Sequence, residues 1–250
     1  MLRRIEATRY VTPLREGGSL PALVEADDDG LYVLKFHGAG QGRRALVAEV
    51  VAGELARALG LAVPELVLVE LDPALGRAEP DPEIQDLLLA SPGLNLGVDF
   101  LPGALPFDPA AEPEVDPQLA AAVVWLDALV TNPDRTARNT NLLLWHGRLW
   151  LIDHGAALYF HHAPERVAGH ARRPFEQIAD HVLLPYASSI AEADARLADE
   201  ATEELLRALA GAIPAVWLGG DDPGVYVEYL LERLEAPRAW VEEAERARGR

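Results

Sequence analysis

The distribution of proline constrains the fold of this 250-residue chain more than any other feature of its sequence. Nine of its nineteen prolines fall between Pro73 and Pro117. Proline lacks a backbone N–H and clashes with the preceding helical turn, so such a segment disfavours long helices and central strands. We therefore expect residues 73–117 to be rich in loops, with GVDFLPG (97–103) as their one ordered piece. This segment is predicted to connect two lobes.

The sequence before this segment has the pattern of strands and one helix. SLPALVEA (19–26) and LYVLKFH (31–37) are apolar or alternating, and DDDG lies between them, which predicts a hairpin. RALVAEVVAGELARALG (44–60) has apolar residues at helical spacing and a glycine at its end, so we expect a helix. ELVLVEL (65–71) is predicted to be another strand.

The sequence after the proline-rich segment is mainly helical. Asp116 and Pro117 are typical of the start of a helix, which should run to about Val130. From residue 190 onward the chain is rich in Ala, Leu, Glu and Arg and again predicts helices. We expect an α+β fold with a small β-rich N-terminal lobe and a larger, mainly helical C-terminal lobe. The predicted bounds are 1–100 for the first lobe, 101–117 for the connection and 118–250 for the second lobe.

Composition excludes several classes of protein. Half of the residues are hydrophobic, which allows a substantial core, and the absence of cysteine excludes disulfide frameworks and thiolate metal sites. A formal net charge of −18 disfavours direct binding to nucleic acid. The apolar stretch LAAAVVWL (119–126) is far shorter than the roughly 20 residues of a membrane span. MLRRIEATRY is followed by no apolar signal segment, so we expect a cytoplasmic protein without membrane contact.

Lys35 is the single lysine of the chain, which otherwise contains 21 arginines. It lies in the apolar run LYVLKF. An ammonium is a compact point charge that fits among phosphate oxygens, whereas a guanidinium is a broad planar fork. We therefore predict that Lys35 binds phosphate; the alternative is a strand-edge lysine that extends to solvent.

A polar segment, NPDRTARNTN (132–141), lies between the apolar runs AAAVVWLDALV and LLLW. Because Pro133 cannot continue the preceding helix, the next residues should form a loop. NLLLWHGRLWLID (141–153) then predicts a hairpin around His146-Gly147. In that register Asn139 lies opposite His154, so Asn139 and Asp153 are expected at one end of the hairpin.

Asp134 lies just upstream in the loop that enters this end of the hairpin. Carboxylate and amide oxygens are the ligands that hold Mg²⁺ on the phosphates of a nucleotide. The sequence therefore predicts a site made by Asp134, Asn139 and Asp153. Asp127, in the otherwise apolar helix before the loop, is expected to brace the loop.

Four motifs in chain order, over about residues 15–160, resemble those of HipA-like kinases, the HipA and phosphoinositide-kinase-like branch of the protein-kinase superfamily. DRTARN followed by LIDHG resembles the catalytic loop and metal-binding Asp of that family. LYVLK resembles the strand that carries the nucleotide lysine, and AEVVAGELARALGLAVPE resembles the helix that carries its Glu partner. Gly17, Gly18 and Ser19 in REGGSLPALVEA are similar to the phosphate-covering loop. The resemblance implies a bilobal protein-kinase-like fold with ATP between the lobes.

The resemblance also implies roles for individual residues. Asp134 matches the catalytic Asp, and Asn139 and Asp153 match the metal ligands. Lys35 matches the lysine on the α- and β-phosphates, and Glu49 matches its partner, although Glu54 projects among the apolar residues of the same helix and stays an alternative. The backbone of Asp99, Phe100 and Leu101 is implied to form the hinge that meets the adenine.

The expected activity is transfer of the γ-phosphate of ATP, with Mg²⁺, to a hydroxyl group. A protein Ser or Thr is the favoured acceptor, and small molecules and lipids stay open. The chain departs from the family in one place, because Thr136 stands where the family loop often has His. This departure leaves open a nucleotide-binding pseudokinase or regulatory module. A separate alternative is a metal-dependent hydrolase built on the Asp and His residues, which would need neither Lys35 nor a nucleotide.

Overall fold

A computed structural model of the chain describes residues 2–14, 20–40, 42–162 and 169–249. The first half forms a closed five-stranded barrel in the order β1-β2-β3-β5-β4. β1 and β4 are parallel, and the other neighbours are antiparallel. The strands are β1 (Arg3–Pro13), β2 (Ala22–Ala26), β3 (Leu31–Lys35), β4 (Leu66–Leu71) and β5 (Gly93–Asp99).

The predicted elements of this half are present. β2 and β3 form the expected hairpin, and Asp28 in its turn accepts a hydrogen bond from the Gly30 N–H at 3.0 Å. α1 (Arg43–Ala58) is the expected helix, and it ends before Gly60, whose positive φ of 81° suits glycine. The sequence does not delimit β1, because Ile5 is its single buried residue and the strand lacks a regular alternation of buried and exposed positions.

The prediction for the proline-rich segment was wrong in its first part. Residues 82–90 form helix α2 (Pro82–Ala90), and β5 is a central barrel strand between β3 and β4. The physical reason is that four of these nine prolines begin helical turns. The residue before each of the four is an Asp whose carboxylate caps the turn, at Asp72, Asp81, Asp108 and Asp116.

The second half is built around α3 (Pro117–Leu129), whose residues 120–129 are all buried. The predicted hairpin is β7 (Leu142–Trp145) and β8 (Arg148–Leu151), and the short β6 (Leu105–Pro106) pairs with β7. His146 and Gly147 both have positive φ, as a two-residue hairpin turn requires. Five further α-helices follow in the part of the chain that the structure describes: α4 (Ile190–Leu197), α5 (Glu203–Gly211), α6 (Ala215–Leu218), α7 (Gly224–Leu234) and α8 (Ala239–Arg248).

Helices α5 and α6 pack against α1, so the C-terminal half supports the element that lies beside the barrel. The buried Trp217 of α6 donates its indole N–H to the Leu94 carbonyl of β5 at 2.9 Å. α1 is thereby enclosed between the barrel and the helical half of the chain. This enclosure positions the Glu49 side chain described below.

Candidate functional site

The site begins with Lys35 at the end of β3. Its ammonium forms an ion pair with Glu49 of α1 and a second one with Asp153, at 2.7 Å between Nζ and Oδ1. Glu49 is almost fully buried, and its other carboxylate oxygen accepts a hydrogen bond from the His154 N–H at 2.9 Å. The structure therefore selects Glu49 over Glu54 as the partner of Lys35. We refer to Lys35, Glu49 and Asp153 as the Lys35 cluster.

Two glycines allow the segment after β8 to approach α1 closely. A Cβ at Gly155 would lie 3.1 Å from Oε1 of Glu49, and a Cβ at Gly53 would lie 2.9 Å from the Leu66 side chain and 3.6 Å from the His154 ring. The Leu66 side chain fills the space that Gly53 leaves, and the His154 ring lies beside it at ordinary van der Waals distance. The sequence Asp-His-Gly at 153–155 thus brings Asp153 to Lys35 because its flanking residues fit against α1.

The Lys35 cluster has one positive and two negative groups. Burial raises the pKa of Glu49 to about 7, against the opposing effect of Lys35. The Lys35 ammonium holds the pKa of Asp153 well below its usual range. Burial opposes the charge on Lys35, but the two carboxylates outweigh it and raise its pKa above the ordinary value. Lys35 and Asp153 are therefore charged at neutral pH, and Glu49 titrates near neutrality.

Asp134 lies in the loop between α3 and β7, where the backbone N–H of Asp134 donates to Oδ1 of Asn132 at 3.1 Å. Its carboxylate accepts a hydrogen bond from Nδ2 of the exposed Asn139 at 2.8 Å. The side-chain oxygen of Asn139 accepts no hydrogen bond among the described residues. Thr136 supports the loop, because its hydroxyl accepts the Asn139 N–H at 3.3 Å.

Asn141 is a site residue that the sequence reasoning missed. It is buried, and its Nδ2 lies 3.3 Å from Oδ2 of Asp134 and 3.5 Å from the Asp153 carbonyl oxygen. The amide of Asn141, rather than that of Asn139, thus links Asp134 to Asp153. A signal for it exists in the sequence, since Asn141 stands directly before the apolar strand LLLW, as Asp153 stands just after RLWLI.

The hairpin has the predicted register around His146-Gly147, and local backbone geometry ends this register before it reaches Asn139. The β7-β8 ladder stops at the Leu142 and Leu151 pair. Asn141 and Asp153 have φ values of 48° and 55°, a left-handed conformation that few residues other than glycine adopt. Strained residues of this kind occur most often at functional sites, where they direct a side chain or a backbone group. Both strands therefore end in sharp bends at the predicted metal site.

The remaining predicted residues lie as follows. Asp99 ends β5 opposite Tyr32, and the Phe100 N–H donates to the Leu31 carbonyl at 3.0 Å, so Asp99, Phe100 and Leu101 leave the barrel beside β3. Gly17, Gly18 and Ser19 lie outside the described residues. The strands that precede and follow them, β1 and β2, are paired neighbours in the barrel.

The side chains at the hairpin end suit a hard divalent cation. Asp153 is 47% exposed and ionised, and Asn139, Asn141 and Asp134 supply amide and carboxylate oxygens nearby. In the part of the chain that the structure describes, no group of three or more His, Asp or Glu side chains could hold a metal ion unaided. In nucleotide sites a Mg²⁺ ion takes one or two protein carboxylates and completes its shell with phosphates and water.

None of the helices in the described ranges is long and apolar enough to span a membrane.

Two solved structures define the class of this fold. The chain is similar to the Helicobacter pylori proinflammatory kinase CtkA, with a TM-score of 0.57 and 12% identity over 99% of this chain and 98% of that one. It is also similar to the Golgi casein kinase with Mn/ADP bound, with a TM-score of 0.51 and 12% identity over 99% of this chain and 74% of that one. The molecule thus has the bilobal protein-kinase-like fold that the sequence predicted.

The family follows from the sequence itself. A model of the HipA-like kinase family matches residues 8–241, which is nearly the whole chain. The protein therefore belongs to the HipA-like kinases, as the four motifs indicated. No curated protein sequence shows a significant match to it.

Proposed function

We propose that this protein is an ATP- and Mg²⁺-dependent phosphotransferase that acts on a hydroxyl group, with a protein Ser or Thr as the favoured acceptor. The observation that carries the proposal is the position of Lys35, whose ammonium is held between Glu49 of α1 and Asp153 of the hairpin end. These three residues come from the barrel, from the enclosed helix and from the helical half. They meet where the barrel, α1 and the end of the β7-β8 hairpin come together.

In this proposal each residue has a distinct task. Lys35 binds the α- and β-phosphates, and Glu49 holds its ammonium in place. Mg²⁺, when bound, neutralises phosphate charge, and Asp153 with Asn139 or Asn141 would hold it. Asp99, Phe100 and Leu101 present backbone groups to the adenine, and Gly17, Gly18 and Ser19 cover the phosphates.

Asp134 is the proposed catalytic residue. Its carboxylate orients the acceptor hydroxyl and takes its proton as the acceptor oxygen bonds to the γ-phosphorus. The bond between the γ-phosphorus and the bridging oxygen breaks, and ADP leaves with that electron pair. In this scheme residues 1–100 form the nucleotide-binding lobe, 101–117 the connection and 118–250 the lobe that carries the catalytic loop.

The second candidate function is a nucleotide-binding pseudokinase, and the observation that favours it is Thr136 in place of the family His. The Thr136 hydroxyl is engaged by the Asn139 N–H, so this position supplies no free base in place of the family His. The hydrolase interpretation is disfavoured, because Lys35 is bound to the proposed metal ligand Asp153 and is part of the same cluster.

Two measurements test the proposal. Thermal unfolding with and without MgATP should show a higher melting temperature with ligand, because a ligand that binds only the native state stabilises it. Asp153→Ala should abolish the dependence of nucleotide affinity on Mg²⁺, while nucleotide affinity without Mg²⁺ stays near that of wild type. Equal melting temperatures with and without MgATP would refute the nucleotide site, and unchanged Mg²⁺ dependence in Asp153→Ala would refute the metal role.

A further inference from the structure

A second group of buried polar and charged residues lies beneath the loop that carries Asp134, separate from the Lys35 cluster. It comprises Asp127 of α3, Asn132 and Arg135 of the loop, and His181 from the segment that follows residue 176, and we refer to it as the Arg135 cluster. Each of these residues is at most 4% exposed. A charged pair so deep in a protein is expensive to bury, and it is often neutral or destabilising relative to apolar residues of the same size. Its presence beneath this loop therefore requires an explanation beyond stability.

Asp127 is the acceptor at the centre of the cluster. Its Oδ2 accepts from Nε of Arg135 at 2.6 Å and from Nε2 of His181 at 3.0 Å, and its Oδ1 accepts from Nδ2 of Asn132 at 3.0 Å. Nδ1 of His181 accepts the Leu183 N–H at 3.0 Å, so the ring proton is on Nε2 and His181 is neutral. The cluster thus holds one negative and one positive charge, and three side-chain donors are directed at the carboxylate.

The other end of the Arg135 guanidinium contacts the backbone around the proposed metal ligands. Nη1 donates to the Asn141 carbonyl and lies 3.3 Å from the Ile152 carbonyl. Nη2 lies 3.3 Å from Nδ1 of His154, which must be the acceptor. Ile152 and His154 are the residues on either side of Asp153. One side chain therefore holds both ends of the β7-β8 hairpin against α3.

The backbone of Arg135 makes a further connection. Its carbonyl accepts the Val182 N–H at 3.0 Å, and Thr136 forms an isolated β-bridge with His181. Residues 176–186 are thereby joined to the catalytic loop through both backbone and side chain. A lysine could keep the charge at position 135, but it lacks the planar fork that bonds in three directions at once.

From this geometry we infer that Arg135 is a positioning residue for phosphoryl transfer, which it aids by fixing Asn141 and Asp153 relative to Asp134. His181 shares in this role, because it completes the donor set of Asp127 and joins residues 176–186 to the same carboxylate. The inference rests on the proposed function for its kinetic consequence. Its structural consequence is a fixed hairpin end in the protein without nucleotide, and this consequence does not depend on the proposed function.

The test compares two buried arginines that receive the same substitution. Arg135→Lys keeps the charge opposite Asp127 but loses the bonds to Asn141, Ile152 and His154. Arg233→Lys is the matched control, because Arg233 is 2% exposed and its guanidinium donates to the carbonyls of Ala128, Leu129 and Ala171. Arg233 makes no hydrogen bond to the catalytic loop or to the hairpin among the described residues.

We expect Arg135→Lys to lower kcat by about 10- to 100-fold with KM for ATP changed less than about threefold, since a displacement near 1 Å is enough for such a loss. Arg233→Lys should lower the melting temperature at least as much as Arg135→Lys does, and its kcat should stay within about threefold of that of wild type. Loss of kcat in both variants in proportion to lost stability would overturn the inference.

Amide hydrogen exchange of the nucleotide-free protein supplies the readout that does not depend on activity. Arg135→Lys should accelerate exchange in residues 141–154 and 176–186, and Arg233→Lys should not accelerate it there. If wild type shows no turnover but this exchange pattern holds, the proposed function fails and the positioning role stands. If wild type turns over and exchange in both segments is unchanged in Arg135→Lys, the positioning role fails.

His181→Gln extends the test should Arg135→Lys fail to fold. Gln can still donate to Asp127 but cannot also accept the Leu183 N–H, so exchange should accelerate in residues 176–186 more than in residues 141–154. His181→Phe, which loses both bonds, should accelerate exchange in both segments. Wild-type exchange in His181→Phe would contradict the inference.

Discussion

The Lys35 cluster and the Arg135 cluster are each built on one cation, and they differ in charge balance and in access to solvent. Lys35 faces two carboxylates, and the Asp153 side chain is half exposed. Arg135 faces one carboxylate, and both side chains of that pair are fully buried. Excess negative charge at an open edge can accept a metal ion, whereas a balanced, closed pair has no capacity left for a ligand. We infer that the first cluster binds and the second one holds the binding residues in place.

The pKa shifts in the two clusters agree with this difference. Against the effect of burial, Arg135 and His181 hold the pKa of Asp127 well below its usual range, and burial lowers the pKa of His181. The charge state of the Arg135 cluster is therefore constant around neutral pH. In the Lys35 cluster burial instead raises the pKa of Glu49 to about 7, so its charge state changes there. Groups with perturbed pKa values in a cleft are typical of functional sites.

The largest expected effect concerns Asp134, which lies between the two clusters. Asp134→Asn should reduce phosphoryl transfer by about 10²- to 10⁴-fold, because orientation and proton acceptance are lost together. Nucleotide affinity should stay near that of wild type, since the proposed role of Asp134 is toward the acceptor. The measurement is transfer of label from γ-labelled ATP together with a binding titration.

The exposed Asp199 supplies the control, and Asp199→Asn should behave as wild type. A wild type that binds ATP and releases no ADP with any acceptor would favour the pseudokinase, and Thr136 would be the first position to examine. An Asp134→Asn variant as active as wild type would remove Asp134 from the mechanism.

The next largest effects should come from removing the cation of each cluster, because the two variants should lose different properties. Arg135→Met leaves Asp127 buried without its counter-ion, which typically costs about 3–5 kcal/mol of unfolding free energy. Lys35→Met should cost much less, because Glu49 can take up a proton, yet it should abolish nucleotide binding. Urea denaturation and nucleotide titration of both variants provide the comparison. Equal losses of stability would mean that the clusters do not differ in the way described.

The pH dependence of stability should reveal Glu49. Its pKa is raised above the ordinary 4.5, so the folded protein retains a proton that the unfolded chain has lost, and stability falls as pH rises toward 7 and beyond. Between about pH 5.5 and about pH 8 this group alone should lower the unfolding free energy by about 2 kcal/mol. Glu49→Gln should remove this part of the pH dependence of the unfolding free energy, as measured by urea denaturation at both pH values. The same slope in both proteins would place the pKa of Glu49 near its ordinary value.

The smallest expected effect concerns the support of α1. Trp217→Phe removes the hydrogen bond to the Leu94 carbonyl and should cost about 1 kcal/mol. Because α6 packs on α1 and on the barrel, nucleotide affinity should fall slightly, while hydrogen exchange around Arg135 stays unchanged. Accelerated exchange in residues 176–186 would show that the two clusters are coupled through α6.

Much of the local structure was predictable, because its signals are local. The hairpin around His146-Gly147 follows from two apolar runs and a two-residue turn, and α3 begins at Asp116 and Pro117 as expected. The same kind of signal was misread between Pro73 and Pro117, where Asp-Pro pairs begin helical turns. The rule that proline disfavours helices failed at four of the nine prolines, because the Asp before each of them caps a helical turn.

The sequence by itself determined the types of most elements and the family, and it predicted the residue types of the candidate site. Only the tertiary structure decided between Glu49 and Glu54, placed Asn141 between Asp134 and Asp153, and joined Arg135 to Asp127 and His181. The physical reason is separation along the chain. Lys35 and Asp153 are 118 residues apart, and Glu49 and His154 are 105 apart. Periodicity can place a residue on a face of its own element, but which distant group meets that face depends on how the barrel, α1 and the hairpin pack together.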